Sequence, residues 1–138
     1  MRICLGSTPE MSGYTHCADI TSLSRNVLEA EASSIICKNF LSGFYWTEIK
    51  KVLDIVLSKV RLNGEVQISE PDFDLISRQI FREEVELETV NSTIFSHGGL
   101  FKSFLNLELI ESLIPSGFEV ITKHYDSSSF SIKIKRVQ

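Results

Sequence analysis

Residues 61–81 read RLNGEVQISEPDFDLISRQIF, and this stretch joins a helix end, a strand and a new helix start without a spacer. The pair Asn63-Gly64 predicts the end of the preceding helix, because glycine adopts the left-handed conformation that satisfies the last carbonyl groups. Val66 and Ile68 lie on one face of the predicted strand. Pro71 has no N–H group and disfavours helical dihedrals in the residue before it, so we expect the strand to end just before it. This order predicts an α/β sheet whose carboxyl edge carries polar residues, and open sheets bind ligands at that edge.

Amphipathic helices are predicted on both sides of this strand. Thr47 is a candidate N-cap for the first helix, whose apolar residues recur at steps of three and four. These residues are Ile49, Val52, Leu53, Val56 and Val60. Asp72 or Asp74 is a candidate N-cap for the second helix, because both follow the strand closely. The apolar residues of the second helix are Phe73, Ile76, Ile80 and Phe81.

Further strands are predicted towards both ends of the chain. Residues 1–5 and 13–20 are short extended segments, and residues 34–40 are a β-branched run typical of a buried parallel strand. At the other end, residues 118–125 and the alternating residues 130–135 flank a turn at residues 126–128. This pattern predicts an antiparallel hairpin.

The remaining segments are predicted as one helix and two loops. Asn106 is a candidate N-cap for a third helix, which Pro115 ends. Residues 21–33 are weakly patterned and predict a loop with at most one helical turn, near Val27 to Ala30. Residues 91–99 also predict a loop. The whole pattern predicts a three-layer α/β fold, with a mainly parallel sheet that ends in the antiparallel hairpin.

The totals of the chain predict one domain, residues 1–138, and argue against several classes of function. The chain is 43% hydrophobic and 23% charged, which is typical of globular proteins. A net charge of −4 and a pI near 5.4 argue against a nucleic-acid partner. The sequence has no apolar run of about 20 residues and no N-terminal signal pattern, so we expect no membrane span and a cytoplasmic location.

The three cysteines, Cys4, Cys17 and Cys37, lie in apolar, strand-like surroundings. Their odd number and their surroundings predict reduced, buried thiols rather than a disulfide framework. None of them lies two to four residues from another cysteine or a histidine, as structural zinc sites require. No metal site is therefore predicted.

Four segments of the chain occur in an order that resembles a known family. They are LGSTP at 5–9 with Gly13-Tyr14 and Asp19, IICKNFL at 35–41, GEVQISEPD at 64–72, and the stretch from His97 to GFEV at 117–120. Together they resemble the class I S-adenosylmethionine-dependent methyltransferases, in particular a compact bacterial and viral branch. The resemblance covers nearly the whole chain.

The resemblance implies a reduced, Rossmann-like methyltransferase sheet that binds S-adenosylmethionine as its cofactor. Gly6 and Ser7 would approach the methionine part of the cofactor, and Asp19 would contact its ribose or adenine. Asn39 and Phe40 would flank the site of methyl transfer. The implied function is that of an S-adenosylmethionine-dependent methyltransferase, or an S-adenosylmethionine-binding protein, that acts on an unidentified small acceptor.

Two residues are candidates for the catalytic proton acceptor, and several candidates have a second interpretation. Glu70 or His97 would take the proton of a hydroxyl or amine acceptor. In the second interpretation, Glu70 stabilises a helix N-terminus by its charge, His97 is a surface residue in a glycine-flanked loop, and Asp19 caps a turn. The aromatic residues 44–46 form either a packing cluster or a stacking platform for a substrate.

The chain also departs from the family pattern, and these departures define an alternative function. Gly6 is a lone glycine, and only eight residues separate Leu5 from Tyr14, where the family has a helix. A missing helix would leave an apolar sheet face in need of cover. The alternative is therefore a catalytically inactive scaffold that binds a protein partner or self-associates. A third possibility is an enzyme that acts on the cofactor or another nucleotide without transferring methyl.

Overall fold

The computed structural model describes residues 1–6, 11–95 and 101–138, without the side chain of Thr93. Its strands are β1 (Arg2–Gly6), β2 (Thr15–Cys17), β3 (Ala32–Lys38), β4 (Val60–Pro71), β5 (Phe118–Asp126) and β6 (Ser129–Arg136). Its α-helices are α1 (Ile20–Asn26), α2 (Ile49–Ser58), α3 (Phe73–Phe81), α4 (Leu87–Phe95) and α5 (Leu107–Leu113). Two short 3₁₀ turns, Leu41–Gly43 and Trp46–Glu48, lie between β3 and α2. None of the helices described is long and apolar enough to cross a membrane.

The strands form one six-stranded sheet in the order β2-β1-β3-β4-β6-β5. The first four strands in this order are parallel, and β6 is antiparallel to both of its neighbours. Leu5 on β1 lies opposite Cys17 on β2 and Cys37 on β3, so the carboxyl ends of these strands meet at one edge. This arrangement confirms the predicted α/β fold, with a mainly parallel sheet and a C-terminal antiparallel hairpin.

The hydrophobic core lies on one face of the sheet. Alternate strand residues of this face are buried in a single cluster with side chains of α1, α2 and α5. The strand residues are Ile3, Leu5, Ile35, Cys37, Val66, Ile68, Phe130, Ile132 and Ile134. All three cysteines are buried, as predicted. These three helices therefore cover the same face.

The opposite face of the sheet is polar and partly exposed over β3, β4 and β6. Its half-buried residues include Ser34, Ile36, Gln67, Ser69 and Ser131. The Gln67 amide and the Ser69 hydroxyl each lie within hydrogen-bond distance of Ser131 Oγ, at 3.3 and 3.2 Å. A polar face needs no hydrophobic cover, which agrees with its partial exposure. Between β1 and β2, the described residues 11–14 form a turn that is closed by a hydrogen bond from the Tyr14 N–H to the Met11 carbonyl.

Two segments that were predicted as loops contain helices. Helix α1 occupies Ile20–Asn26, earlier than the single turn that we predicted near Val27 to Ala30. Leu23 is its only buried residue, so the helix has almost no apolar periodicity. Helix α4 occupies Leu87–Phe95 and covers the first part of the loop predicted at 91–99. Both predictions were wrong because short helices with few buried residues leave a weak periodic signal.

The predicted boundaries of the long helix were also wrong. Thr47 lies inside the 3₁₀ turn Trp46–Glu48, and α2 begins at Ile49 without a side-chain cap. The helix ends at Ser58, where the Ser58 Oγ donates to the Ile55 carbonyl at 2.7 Å. The apolar spacing predicted four buried residues of α2 correctly, namely Ile49, Val52, Leu53 and Val56. The fifth predicted residue, Val60, is the first residue of β4, so the end of the helix was wrong.

Asn63-Gly64 lies within β4 and does not end a helix. Asn63, not Gly64, has the positive φ, at 63°. The register between β3 and β4 jumps from Ala32 opposite Val60 to Ser34 opposite Glu65, so this pair belongs to a bulge. A Cβ on Gly64 would lie 2.8 Å from Val60 Cγ1, which shows that the bulge needs glycine for space rather than for its dihedral angles.

Asp72 caps helix α3 and also binds the start of α5. It is only 1% exposed, its Oδ1 accepts from the Leu75 N–H at 3.0 Å, and its Oδ2 accepts from the Leu107 N–H at 3.2 Å. Asp72 is therefore the N-cap of α3, out of the two candidates, Asp72 and Asp74, that the sequence offered. Asp74 is exposed and accepts from the Asn106 Nδ2 at 3.2 Å.

We expect Asp72→Ala to lower the free energy of unfolding by about 2 kcal/mol, because two buried N–H groups lose their acceptor. Asp72→Asn keeps one acceptor oxygen, so it should lower the free energy of unfolding by about half as much. Urea denaturation measures both values, with the neighbouring Asp74→Ala as the matched control at about 0.5 kcal/mol or less. Equal effects of Asp72→Ala and Asp74→Ala would contradict the assignment of Asp72 as a double cap.

Candidate functional site

Three of the predicted cofactor residues lie at the carboxyl edge of the parallel strands. Gly6 ends β1, Asp19 follows β2, and Asn39 follows β3. Strand β1 lies between β2 and β3, and Gly6 lies opposite Lys38, the residue before Asn39, so Asp19 and Asn39 follow the two strands on either side of Gly6. The fold brings these residues together although they are far apart in the sequence.

Gly6 is required by the protein's own packing at this edge. Its φ is +74°, and a Cβ added to it would lie 2.3 Å from the Lys38 carbonyl oxygen and 3.0 Å from Phe40 Cβ. The glycine therefore lets the end of β1 approach the end of β3. This is a different reason from the close approach of a cofactor, which the resemblance implied.

Asp19 serves as the N-cap of α1, which was one of its two predicted roles. Its Oδ1 accepts from the Ser22 N–H at 2.7 Å, and the side chain is exposed. No residue in the described parts of the chain donates a hydrogen bond to its Oδ2. One carboxylate oxygen therefore faces solvent at the end of β2, available to a ligand hydroxyl.

Asn39 and Phe40 form the turn that leaves β3. Asn39 has a positive φ of 51°, and its N–H donates to the Ser69 carbonyl at 2.9 Å, which ties the turn to β4. Phe40 is buried and packs edge-on against Phe44, with 5.3 Å between the ring centroids. The Phe40 ring therefore contributes to the core, and the half-buried Asn39 is the residue of the pair that faces the edge.

Glu70 lies at the end of β4 and is fully buried. Its Oε1 accepts from the Leu41 N–H at 2.7 Å, and its Oε2 lies 2.7 Å from Ser42 Oγ. Burial raises the pKa of the Glu70 carboxyl to about 7, although hydrogen bonds from Ser42 and Leu41 act in the opposite direction. Glu70 therefore caps the 3₁₀ turn Leu41–Gly43 from a neighbouring strand, rather than a helix that follows it in sequence.

A cavity of about 290 Å³ opens at the ends of β3 and β4, and we call it the strand-edge cleft. Its lining comes from both strand ends, from the β5–β6 turn and from the segment after α4. The lining residues are Lys38, Asn39, Ser69, Glu70, Pro71, Phe101, Ser128 and Ser129. The cleft places the predicted residues Asn39 and Glu70 around one space.

A second cavity of about 220 Å³ was not predicted from the sequence, and we call it the aromatic cleft. It is lined by Ile94, Phe95, Phe101, Lys102, Ser103 and Phe104. Phe95 is 61% exposed and Phe104 is 54% exposed, so two aromatic side chains border open space. Phe101 lines both cavities, so the aromatic cleft adjoins the strand-edge cleft.

The aromatic residues 44–46 divide between the two roles that the sequence left open. Phe44 packs on the core, whereas Tyr45 and Trp46 are exposed. Lys102 Nζ lies 5.0 Å from the centroid of the Tyr45 ring, which places Tyr45 beside the aromatic cleft. A packing role is therefore wrong for Tyr45 and Trp46.

Two of the predicted site residues, Ser7 and His97, lie outside the residues that the structure describes. Their roles stay predictions. Within the described ranges, no three His, Cys, Asp or Glu side chains are grouped so that they could hold a metal ion.

No protein-family model matches the chain, and no curated protein matches it. Solved structures do match. An S-adenosylmethionine-dependent methyltransferase from Mesorhizobium loti is 12% identical, with a TM-score of 0.60, and the match covers 98% of this chain and 90% of that one. The CurJ carbon methyltransferase is 16% identical, with a TM-score of 0.60, over 91% of this chain.

The N-methyltransferase NodS from Bradyrhizobium japonicum, solved with S-adenosyl-L-homocysteine, is 9% identical with a TM-score of 0.58, over 93% of this chain and 57% of that one. The chain spans only 35% of the CurJ methyltransferase. At these identities the matches show the fold, and the chain has the Rossmann-like fold of S-adenosylmethionine-dependent methyltransferases.

Proposed function

We propose that this protein binds S-adenosylmethionine at the carboxyl edge of β1, β2 and β3 and transfers its methyl group to a small acceptor. The observation that supports the proposal is the meeting of Gly6, Asp19 and Asn39 at one edge of a methyltransferase fold. The edge also borders the strand-edge cleft, which gives an acceptor access to the same place.

The side chains at this edge suit the polar parts of the cofactor. The Asp19 Oδ2 would accept hydrogen bonds from the ribose hydroxyls while Oδ1 keeps its cap on α1. The half-buried Asn39 side chain forms no hydrogen bond with any residue described, so its amide is available to the cofactor or the acceptor. The hydrogen-bonding groups of Asp19 and Asn39 therefore fit a nucleoside with hydroxyl and amino groups.

The chemistry of methyl transfer requires placement more than functional groups. An acceptor oxygen or nitrogen forms a bond to the methyl carbon while the carbon–sulfur bond breaks, and the electron pair of that bond stays on sulfur. The protein contributes by orientation, which accounts for a large part of the rate in such reactions. Asn39 and the turn behind it would orient the acceptor.

Glu70 remains a candidate proton acceptor in this proposal, because its pKa of about 7 suits general base catalysis near neutral pH. Both of its oxygens face Leu41 and Ser42, so its geometry favours a second role as a positioning residue for the turn after Asn39 and Phe40. His97 is the other candidate.

Isothermal calorimetry with S-adenosylmethionine and S-adenosylhomocysteine tests the proposal. We expect measurable heat with both, and a ligand at about 100 times its dissociation constant should add roughly 2.7 kcal/mol to the free energy of unfolding. No heat and no thermal shift at millimolar concentrations would refute cofactor binding.

The variant Asp19→Ser separates the cofactor role of Asp19 from its structural role. Serine is a good N-cap, so α1 should keep its stability, whereas its short side chain cannot reach the ribose. We expect affinity for S-adenosylhomocysteine to fall by about tenfold, equivalent to one lost charged hydrogen bond. Calorimetry measures the affinity and a thermal melt checks the fold. An unchanged affinity would mean that Asp19 only caps the helix.

The alternative of an inactive scaffold rested on the lone Gly6 and on an apolar sheet face without cover. Over β3, β4 and β6 the face opposite the core is polar, with Gln67, Ser69 and Ser131, so the second reason finds no support there. The scaffold alternative stays a prediction that light scattering tests. A stable oligomer that does not bind the cofactor would favour it.

A further inference from the structure

We infer that the aromatic cleft binds the methyl acceptor, and that the acceptor is a single-ring aromatic carboxylic acid with a hydroxyl group on its ring. This inference rests on the proposed function and specifies its substrate class. Three features of the cleft carry it, namely its size and aromatic lining, an unpaired lysine at its outer side, and a buried hydroxyl at its inner side.

The size and lining of the cleft fit one aromatic ring. Its volume is about 220 Å³, and an apolar cavity of roughly 150 Å³ holds benzene. Phe95, Phe101 and Phe104 line the space, and Phe104 also packs on Phe73 with 4.7 Å between the ring centroids. Aromatic pairs in offset or edge-on geometry are favoured beyond their buried area. A ring with two small substituents fits this space, whereas a nucleotide is too large.

Lys102 supplies a positive charge at the exposed side of the cleft. Its Nζ lies over the Tyr45 ring at 5.0 Å. No carboxylate in the described parts of the chain forms an ion pair with it. In a protein with a net charge of −4, an unpaired lysine that lines a cleft favours an anionic ligand. The ligand carboxylate would therefore lie at Lys102.

Ser103 supplies a polar atom on the buried side of the same segment. Its Oγ is buried and has no hydrogen-bond partner among the residues described. It borders a slot of about 10 Å³ shared with Phe101 and Phe104, which is close to the space of one water molecule. A buried hydroxyl without a partner is unfavourable, and a ligand hydroxyl at the opening of the slot would satisfy it while its oxygen stays accessible from the aromatic cleft.

The backbone orients this inner side towards the sheet. The N–H groups of Lys102 and Ser103 both donate to the Ser42 carbonyl, at 2.7 and 3.2 Å. Ser42 in turn contacts Glu70 at the end of β4. The slot at Ser103 and the strand-edge cleft share Pro71 in their linings, whereas Lys102 is exposed. We therefore place the ring hydroxyl on the side of the strand-edge cleft and the carboxylate on the side of solvent.

The reaction that follows is methylation of the ring hydroxyl. The hydroxyl oxygen forms a bond to the methyl carbon of S-adenosylmethionine, and the carbon–sulfur bond breaks with its electron pair left on sulfur. The hydroxyl proton is released to solvent or to a base. The products are a methyl ether of the aromatic acid and S-adenosylhomocysteine.

Calorimetry with three probes, each with and without S-adenosylhomocysteine, tests the inference. The probes are 4-hydroxybenzoate, benzoate and 4-hydroxybenzamide. We expect 4-hydroxybenzoate to bind about tenfold more tightly than the uncharged amide, and about fivefold more tightly than benzoate. Equal affinity for all three, or no binding of any, would overturn the inference.

Two variants assign these differences to named side chains. Lys102→Gln should abolish the preference for the acid over the amide, and Ser103→Ala should abolish the preference for the hydroxylated acid. Ser103→Ala removes a buried hydroxyl that has no partner among the described residues, so the free protein should be at least as stable as the unmodified chain in a thermal melt. Lys51→Gln, an exposed lysine on α2, is the matched control and should change neither preference. Preferences that persist in both variants would contradict the inference.

Failure of the inference can be distinguished from failure of the proposed function. If S-adenosylhomocysteine gives heat and none of the aromatic probes does, the cofactor proposal holds and the acceptor class is wrong. If the aromatic acids bind with the expected preferences but the cofactor does not, the cleft is a binding site for aromatic acids and the methyltransferase proposal fails.

Discussion

Replacement of Gly6 by alanine should lower the free energy of unfolding by about 3 kcal/mol, since two separate costs add at this position. The left-handed backbone, with φ at +74°, disfavours any residue with a Cβ. The added Cβ would also lie 2.3 Å from the Lys38 carbonyl oxygen, which belongs to the backbone of β3 and cannot rotate away. Urea denaturation near neutral pH measures the loss.

Gly13→Ala is a matched control for Gly6→Ala. Gly13 has a similar φ of +82°, but among the described residues no atom beyond its chain neighbours lies within 4 Å of the position of its added Cβ. This variant should lower the free energy of unfolding only by the cost of the left-handed backbone, about 1 kcal/mol. The difference between the two variants isolates the close approach of β1 to β3. If both substitutions cost the same, the carboxyl edge is less tightly packed than the structure shows.

The sequence predicted the architecture well where residues are buried in a regular pattern. Val66 and Ile68 alternate on β4, and four apolar residues of α2 recur at helical spacing, so each burial face was visible without a structure. The partly exposed face also has a signal, because Ser34, Gln67 and Ser69 alternate with those apolar residues. Read as a polar face, this pattern would have predicted that this side of the sheet is partly exposed.

The candidate site was harder to predict, because its contacts join residues that are distant in the chain. Glu70 precedes Asp72 and α3, so local reasoning gave it the role of a helix cap or a base. Its actual hydrogen-bond partners, Leu41 and Ser42, lie 29 and 28 residues earlier. The aromatic cleft was also missed, for a different reason. Phe101 and Phe104 lie outside any helix or strand, so no periodic pattern marks them as residues of a site.

The substitution Glu70→Gln should remove a dependence of folding stability on pH. The folded-state pKa of Glu70 is about 7, whereas its ordinary value is 4.5. Between these values the folded protein holds a proton that the unfolded chain has released, so stability falls as pH rises through this window. The contribution is about 3 kcal/mol, fully present below pH 4.5 and lost above pH 7.

The protonated side chain suits its hydrogen bonds, which explains why glutamine should replace it well. Oε1 would still accept from the Leu41 N–H, and a proton on Oε2 would be donated to Ser42 Oγ, whose hydroxyl can rotate. Glutamine reproduces this pattern with its carbonyl oxygen and its amide group. Alanine does not, and at about pH 5 Glu70→Ala should cost about 2 to 3 kcal/mol because buried polar groups lose their partners.

Urea denaturation of the unmodified chain, Glu70→Gln and Glu70→Ala at about pH 5 and pH 8 measures these effects, with the exposed Glu119→Gln as the control for general charge. We expect Glu70→Gln to match the unmodified chain at the lower pH and to exceed its stability at the higher pH. The same slope with pH in both proteins would show that Glu70 is ionised throughout. Methyl transfer gives the second readout, because a positioning role survives Glu70→Gln and fails in Glu70→Ala, whereas a proton acceptor fails in both.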